Sequence, residues 1–244
     1  MRERSAHEYS STHDPPPISL NPDGSENREA PSAGGSDAHE PGEGLGPGDV
    51  ARRVFGPDAQ GTACLQGERL RKEREALILA DILPVVGFPR SVDARGTEHA
   101  VRFRGATVEK HQHTDGWVPI LTASRKIGLG RAFPSEYLRR LELQNELFGD
   151  RVRLIGLTRG NRFATSQPTL RGDEPTENEI RDLLECVGWR RISVSLQELP
   201  IQLMGSAWWH PEERLIMLDA RKPNFKRTAF GVLPIDLVLG PLTS

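Results

Sequence analysis

The sequence predicts a mixed α+β protein behind an unstructured N-terminal tail. After residue 48, three helical patterns and several short strand patterns alternate with turn signals. Before that point, Pro, Gly and Ser fill 21 of 48 positions, and 9 acidic side chains stand against 3 basic ones. Such a segment cannot bury enough apolar area to offset the entropy of ordering, so we expect residues 1–48 to be disordered.

Composition excludes several classes of protein. The body after residue 48 carries 29 basic and 25 acidic side chains, too small a positive excess to indicate nucleic-acid binding. No apolar run approaches the ~18 residues of a membrane span, and the chain start lacks the apolar stretch of a secretory signal. Cys64 and Cys186 are too few for a disulfide framework. We therefore expect a cytoplasmic protein that binds neither membranes nor nucleic acid.

The first half of the body predicts one helix followed by a pair of strands. Four apolar residues at helical spacing predict a helix over about residues 66–83: Leu70, Leu77, Ile78 and Ile82. Residues 99–104 and 106–110 then alternate as strands do, and Gly105 supplies the turn between them.

The second half predicts two further helices and more strands. Pro134 opens a helix that Gly149 stops, and residues 151–157 and 162–166 follow as a hairpin. Next comes a helix over about residues 176–187. Its N-terminal signal is a capping box formed by Thr176 and Glu179, and Gly188 ends it. The last apolar runs, residues 215–218 and 232–235, are each followed directly by an aspartate.

Those two aspartates, with an asparagine between them, are the most informative pattern. Asp219 and Asn224 lie five residues apart, and Asp236 closes the next strand pair. A kinase catalytic loop has this layout: the first aspartate accepts the proton of the attacking hydroxyl, and the other two residues coordinate Mg²⁺. Asp and Asn are also ordinary turn formers, so the pattern alone equally fits plain turns. The strand position of both aspartates favours function, as does Lys110 at the end of an earlier strand.

With these segments in place, the sequence resembles the kinase-like domain of polyvalent proteins from phages and other mobile elements. This family is regarded as a group of Ser/Thr/Tyr kinases. The resemblance covers roughly residues 66–244. It is carried by residues 97–99, 134–150, 164–168, 175–180, 218–225 and 234–236.

The resemblance implies a reduced protein-kinase-like fold of two lobes. Residues 98–166 would form a small β-rich lobe with one helix. Residues 166–172 would form the hinge, and residues 173–244 a minimal large lobe. Residues 49–97 would precede the kinase-like domain as a helical extension.

The resemblance also implies roles for individual residues. Lys110 would grip the phosphates of ATP, and Asp219 would act as the catalytic base. Asn224 and Asp236 would be the Mg²⁺ ligands. Gln167 would lie at the hinge, where the protein meets the adenine.

The acidic partner of Lys110 should come from the helix that begins at Pro134. We prefer Glu142 over Glu136 and Glu146, because Glu142 lies one helical turn after Leu138, near the packed face.

The expected function is therefore an ATP- and Mg²⁺-dependent phosphotransferase that acts on a hydroxyl acceptor, for which a protein is one candidate. The alternative is a catalytically inactive kinase-like module that binds a nucleotide or a partner in mobile-element proteins. A single glycine, Gly105, stands in the turn before Lys110, where kinases carry a glycine-rich phosphate loop, and this favours the alternative.

Overall fold

The computed structural model describes residues 44–55, 66–121, 127–192 and 207–241. Within these ranges the chain forms four α-helices and thirteen short strands, all paired antiparallel. The helices are α1 (Pro47–Phe55), α2 (Gln66–Ala80), α3 (Pro134–Phe148) and α4 (Glu177–Cys186). The strands are β1 (Ala94–Arg95), β2 (His99–Arg104), β3 (Thr107–Gln112), β4 (Trp117–Leu121), β5 (Ile127–Arg131), β6 (Arg153–Leu157), β7 (Phe163–Pro168), β8 (Arg190–Arg191), β9 (Trp208–His210), β10 (Leu215–Leu218), β11 (Phe225–Thr228), β12 (Gly231–Pro234) and β13 (Val238–Pro241). The predicted α+β class is confirmed.

Helices α3 and α4 begin where the local sequence signals place them. Helix α3 starts at Pro134 and stops before Gly149, whose left-handed conformation (φ 67°) lets its N–H donate to the Asn145 carbonyl at 3.0 Å. Helix α4 has the predicted reciprocal capping box between Thr176 and Glu179. Helix α2 ends at Ala80, three residues before the predicted end.

A five-stranded antiparallel sheet has the order β1-β2-β3-β7-β6. Strand β3 lies at its centre, and Lys110 pairs with Val101 of β2 and Thr165 of β7. Strands β2 and β3 are joined by the predicted tight turn at Gly105, which has the positive φ of 62° that favours glycine. Lys110 is therefore held by strands on both sides.

A second sheet, of order β13-β10-β9-β8, carries the C-terminal part of the chain. Leu218, the last residue of β10, pairs with Val238, the first residue of β13. Antiparallel pairing at this point brings Asp219 and Asp236 to the same end of the two strands. Between them, β11 and β12 form the predicted hairpin.

Helix α3 contributes to two hydrophobic cores. Leu138 and Leu141 pack in a core shared with α1, α2 and the five-stranded sheet. Leu143 packs in a second core with α4 and the strands of the C-terminal sheet. This helix therefore positions residues of both sheets relative to each other.

Two predicted boundaries are wrong. Leu45 forms an isolated bridge with Leu154, and Pro47 and Gly48 are buried, so residues 44–48 belong to the fold rather than to a disordered tail. Residues 1–43 of the predicted tail lie outside the described residues. At the predicted hinge, residues 166–168 belong to β7 and pair with β3. Their backbone completes the sheet, because a central strand needs partners on both edges.

Among the helices that the structure describes, each is too short or too polar to cross a membrane.

Candidate functional site

The site is built around the backbone of Ile235, which lies between β12 and β13. Lys110 donates to the Ile235 carbonyl at 2.6 Å, and the Ile235 N–H donates to the Asn224 carbonyl at 2.8 Å. The side-chain amide of Gln167 reaches the same Ile235 carbonyl at 3.5 Å. The backbone of this one residue thus joins β3, β7 and the loop that follows β10.

Lys110 and Asp236 lie side by side. The ammonium nitrogen is 4.0 Å from Oδ2 of Asp236, and the lysine side chain is only 12% exposed. Burial by itself would raise the pKa of Asp236, but the charge of Lys110, the nearby His99 ring and the charge of Arg140 outweigh it. The pKa of Asp236 is therefore held below its ordinary value, and the carboxylate stays charged.

The loop from Asp219 to Asn224 is closed by its own hydrogen bonds. Asp219 adopts a left-handed conformation (φ 62°), and Asn224 donates its side-chain amide to the Asp219 carbonyl at 2.7 Å. Arg221 donates to the Asp219 carboxylate. Residues Lys222–Asn224 form a single 3₁₀ turn that leads into β11. This loop presents the Asp219 carboxylate next to the segment that carries Asp236.

The environment of Asp219 suits a proton acceptor. Burial raises its pKa above the ordinary value, while Arg221 and Asn224 act in the opposite direction and the charge of Asp236 adds to the rise. The side chain remains 21% exposed, so a ligand can reach it. A carboxylate with a raised pKa is a stronger base than a free one.

The structure does not bring Glu142 to Lys110, and this part of the predicted site is wrong. The Glu142 carboxylate lies 2.7 Å from Arg139 and 3.3 Å from Arg52 of α1. A Cβ at Gly48 would come within 1.9 Å of that carboxylate, so α1 packs directly against it. Arg140 is the residue of α3 that points to Asp236. Glu142 follows two residues later, and two residues of an α-helix rotate the side chain by about 200°, to the opposite face.

Sequence reasoning missed a buried polar cluster behind Asp236. Arg140 is 2% exposed and donates to both carboxylate oxygens of Glu98, at 2.9 and 2.8 Å. His99 has its Nε2 2.8 Å from the Tyr137 hydroxyl and its Nδ1 3.6 Å from Oδ2 of Asp236. These side chains are far apart in the sequence, and no local pattern marks them as partners.

Asp150, just beyond α3, is a second residue that the sequence did not single out. Gln144, itself buried, donates to Asp150 Oδ2 at 2.9 Å. Burial raises the pKa of Asp150 to about 6; the Gln144 hydrogen bond and the charge of Lys110 limit that rise, and Asp236 adds to it. Asp150 is thus a buried acidic group whose pKa responds to the charges of Lys110 and Asp236.

Two side chains at the site carry oxygen atoms of the kind that bind Mg²⁺ in proteins. Proteins bind Mg²⁺ through one or two oxygen side chains, and substrate phosphates complete the shell. Asp236 offers Oδ2, and Asn224 retains its side-chain oxygen after its amide nitrogen bonds to Asp219. No cluster of three or more His, Cys, Asp or Glu among the described residues could hold a metal by itself. A divalent cation here would therefore need ligands beyond these two side chains.

Compared with known proteins, the chain matches no family model, no curated protein and no solved structure. A functional interpretation consequently depends on the geometry of the site and on the chemistry of its side chains.

Proposed function

We propose that the protein is an ATP- and Mg²⁺-dependent phosphotransferase that acts on a hydroxyl group. One observation carries the proposal: Lys110 donates to the backbone carbonyl of Ile235, and the backbone N–H of the same residue donates to the Asn224 carbonyl. Residues that are 125 positions apart in sequence, Lys110 and Ile235, meet beside Asp236. A lysine, a base, an amide and a second carboxylate are the groups that phosphoryl transfer requires.

The chemistry follows from the positions of the four side chains. Lys110 would contact oxygen atoms of the transferred phosphate and offset their negative charge. Asp219 would accept the proton as the acceptor oxygen bonds to the terminal phosphorus, while the bond from phosphorus to the bridging oxygen breaks and ADP leaves. Asp236 and Asn224 would hold Mg²⁺, which supplies charge stabilisation at the phosphates when it is bound. Gln167 lies beside this group and helps to fix the Ile235 carbonyl.

A second candidate is a kinase-like module that binds a nucleotide and transfers nothing. The observation that favours it is the short β2–β3 connection, which has two residues and a single glycine, Gly105. A glycine-rich loop that covers the phosphates in kinases has no counterpart in this turn. Phosphate would then remain bound at Lys110 without being transferred.

Two substitutions separate binding from transfer. Asp219→Asn keeps the shape of the loop and removes the proton acceptor. ATP affinity should therefore be unchanged, while transfer or hydrolysis falls by about 10²–10⁴-fold. Asp236→Ala should instead weaken ATP binding in the presence of Mg²⁺, because a cation that bridges phosphates is the largest local charge at such a site.

The measurements are ATP affinity by calorimetry and release or incorporation of phosphate from γ-labelled ATP. A wild-type protein that binds Mg²⁺–ATP and transfers no phosphate would support the second candidate. If both variants transferred phosphate as fast as the wild type, the assigned roles would be contradicted.

A further inference from the structure

Arg140 donates hydrogen bonds to four residues in three different segments of the chain. Its Nε donates to the Leu237 carbonyl at 2.7 Å, and its Nη2 donates to Oδ1 of Asp236 at 3.0 Å. Its Nη1 donates to both Glu98 oxygens and lies 3.3 Å from the Trp117 carbonyl. A guanidinium group presents its donors in one rigid plane, so these contacts fix the segments relative to each other.

The two oxygen atoms of Asp236 consequently differ. Oδ1 is bound to a guanidinium group that is 2% exposed, and it faces the interior. Oδ2 has no such direct partner: Nδ1 of His99 is 3.6 Å away and Nζ of Lys110 is 4.0 Å away. The Asp236 side chain as a whole is 35% exposed, and Oδ2 is the oxygen that Arg140 does not bind.

Stability alone does not account for this arrangement. The Arg140–Glu98 pair is almost fully buried, and taking both charges out of water costs about as much as their attraction returns. Glu98 compensates the charge of Arg140, so that Arg140 can contact Asp236 without neutralising it completely. A buried pair of this kind is best accounted for by the geometry that it enforces on Asp236.

We propose that Arg140 is a positioning residue: it binds Oδ1 of Asp236 inward and thereby presents Oδ2 to the ligand side of the site. Tyr137 assists by holding Nε2 of His99, which directs Nδ1 of that ring toward Oδ2. The part of this inference that concerns Mg²⁺ rests on the proposed function.

The test compares Arg140→Lys with its neighbour Arg139→Lys. Lysine keeps the positive charge but cannot bridge Glu98, Asp236 and Leu237 in one plane. Arg139 is 41% exposed and pairs with Glu142 and Glu146, away from Asp236, so its variant is a matched control. ATP affinity is measured by calorimetry with and without Mg²⁺, and the ratio of the two affinities is the readout.

Arg140→Lys should leave the affinity for ATP without Mg²⁺ unchanged and lower the enhancement by Mg²⁺ by about 10- to 100-fold, the usual effect of removing a group that orients a metal ligand. Arg139→Lys should retain the full enhancement. An Arg140→Lys variant with the wild-type enhancement would overturn the positioning role, while the proposed function would stand.

A second measurement needs no Arg140 variant and no nucleotide. In arginine-selective ¹⁵N NMR of the wild type, the Arg140 guanidinium should give slowly exchanging Nη signals, because this side chain is buried and fully bonded. Asp236→Asn should perturb the Nη2 signals and leave those of Nη1, which bind Glu98. Arg140 signals that exchange freely, or that do not change in Asp236→Asn, would overturn the inference.

If the wild type showed no Mg²⁺-dependent binding of ATP, the proposed function would fail. A perturbed Nη2 signal in Asp236→Asn would still support the contact between Arg140 and Asp236.

Discussion

Asp219 and Asp236 both follow an apolar strand, yet the protein holds them in different ways. Asp219 is held by its own loop, through Arg221 two residues away and Asn224 five residues away. Asp236 is held by side chains from distant elements, Arg140 on α3 and His99 and Lys110 on two strands. The first arrangement is local and partly exposed. The second exists only when the helix and both sheets are assembled, so it should be far more sensitive to substitution.

The largest expected loss of stability comes from Arg140→Met. This substitution leaves Glu98 and Asp236 without their common partner in a buried setting, which typically costs about 3–5 kcal/mol. Unfolding in urea measures the change in the free energy of unfolding. Arg139→Met is the control and should cost less than about 1 kcal/mol, because the Arg139 side chain is 41% exposed and solvent screens its ion pairs. Equal losses of unfolding free energy in the two variants would show that the cluster behind Asp236 contributes no more to stability than ion pairs at the surface.

A smaller, pH-dependent effect is expected at Asp150. Because the folded state raises the pKa of this group from 3.8 to about 6, its contribution to stability is complete below about pH 4 and is lost as the pH rises through 6. Asp150→Asn keeps the acceptor for Gln144 and removes the charge. It should therefore stabilise the protein at pH 8 by on the order of 2 kcal/mol and leave stability near pH 4 unchanged. Urea unfolding at the two pH values is the measurement, and a gain of equal size at both would contradict the raised pKa.

The smallest expected effect lies in the loop of Asp219. Asn224→Ala removes one partly buried hydrogen bond to the Asp219 carbonyl and should cost about 1 kcal/mol in the free energy of unfolding. The loop retains its 3₁₀ turn and the backbone bond from Ile235 to residue 224. A loss as large as that of Arg140→Met would show that the loop, too, depends on the whole fold.

The same contrast explains how much of the molecule could be predicted from its sequence. Helix α3 and the capping box of α4 depend on residues a few positions apart, so Pro134, Gly149, Thr176 and Glu179 were sufficient signals for them. The proximity of Lys110 to Asp236 was also expected, from the family resemblance.

The remainder depends on which side of a helix faces which segment, and periodicity alone left this open. Glu142 and Arg140 are two residues apart on α3, and only the packing of Gly48 of α1 against Glu142 makes clear that Glu142 faces away from Lys110. A buried arginine was likewise unexpected, because charged side chains are seldom placed in a core on the basis of a sequence pattern. Long-range ion pairs such as Arg140 with Glu98 leave no local signal.

The most direct test of the central claim, that the charges around Asp236 serve a nucleotide site, is a calorimetric titration of ATP into the wild type and into Lys110→Met, each with and without Mg²⁺. We expect the wild type to bind ATP, more tightly with Mg²⁺, and Lys110→Met to bind it about tenfold more weakly or worse, since a hydrogen bond to a charged group contributes about 1.5–3 kcal/mol. No binding of ATP by the folded wild type at millimolar concentration, or equal affinity in the two proteins, would contradict the claim.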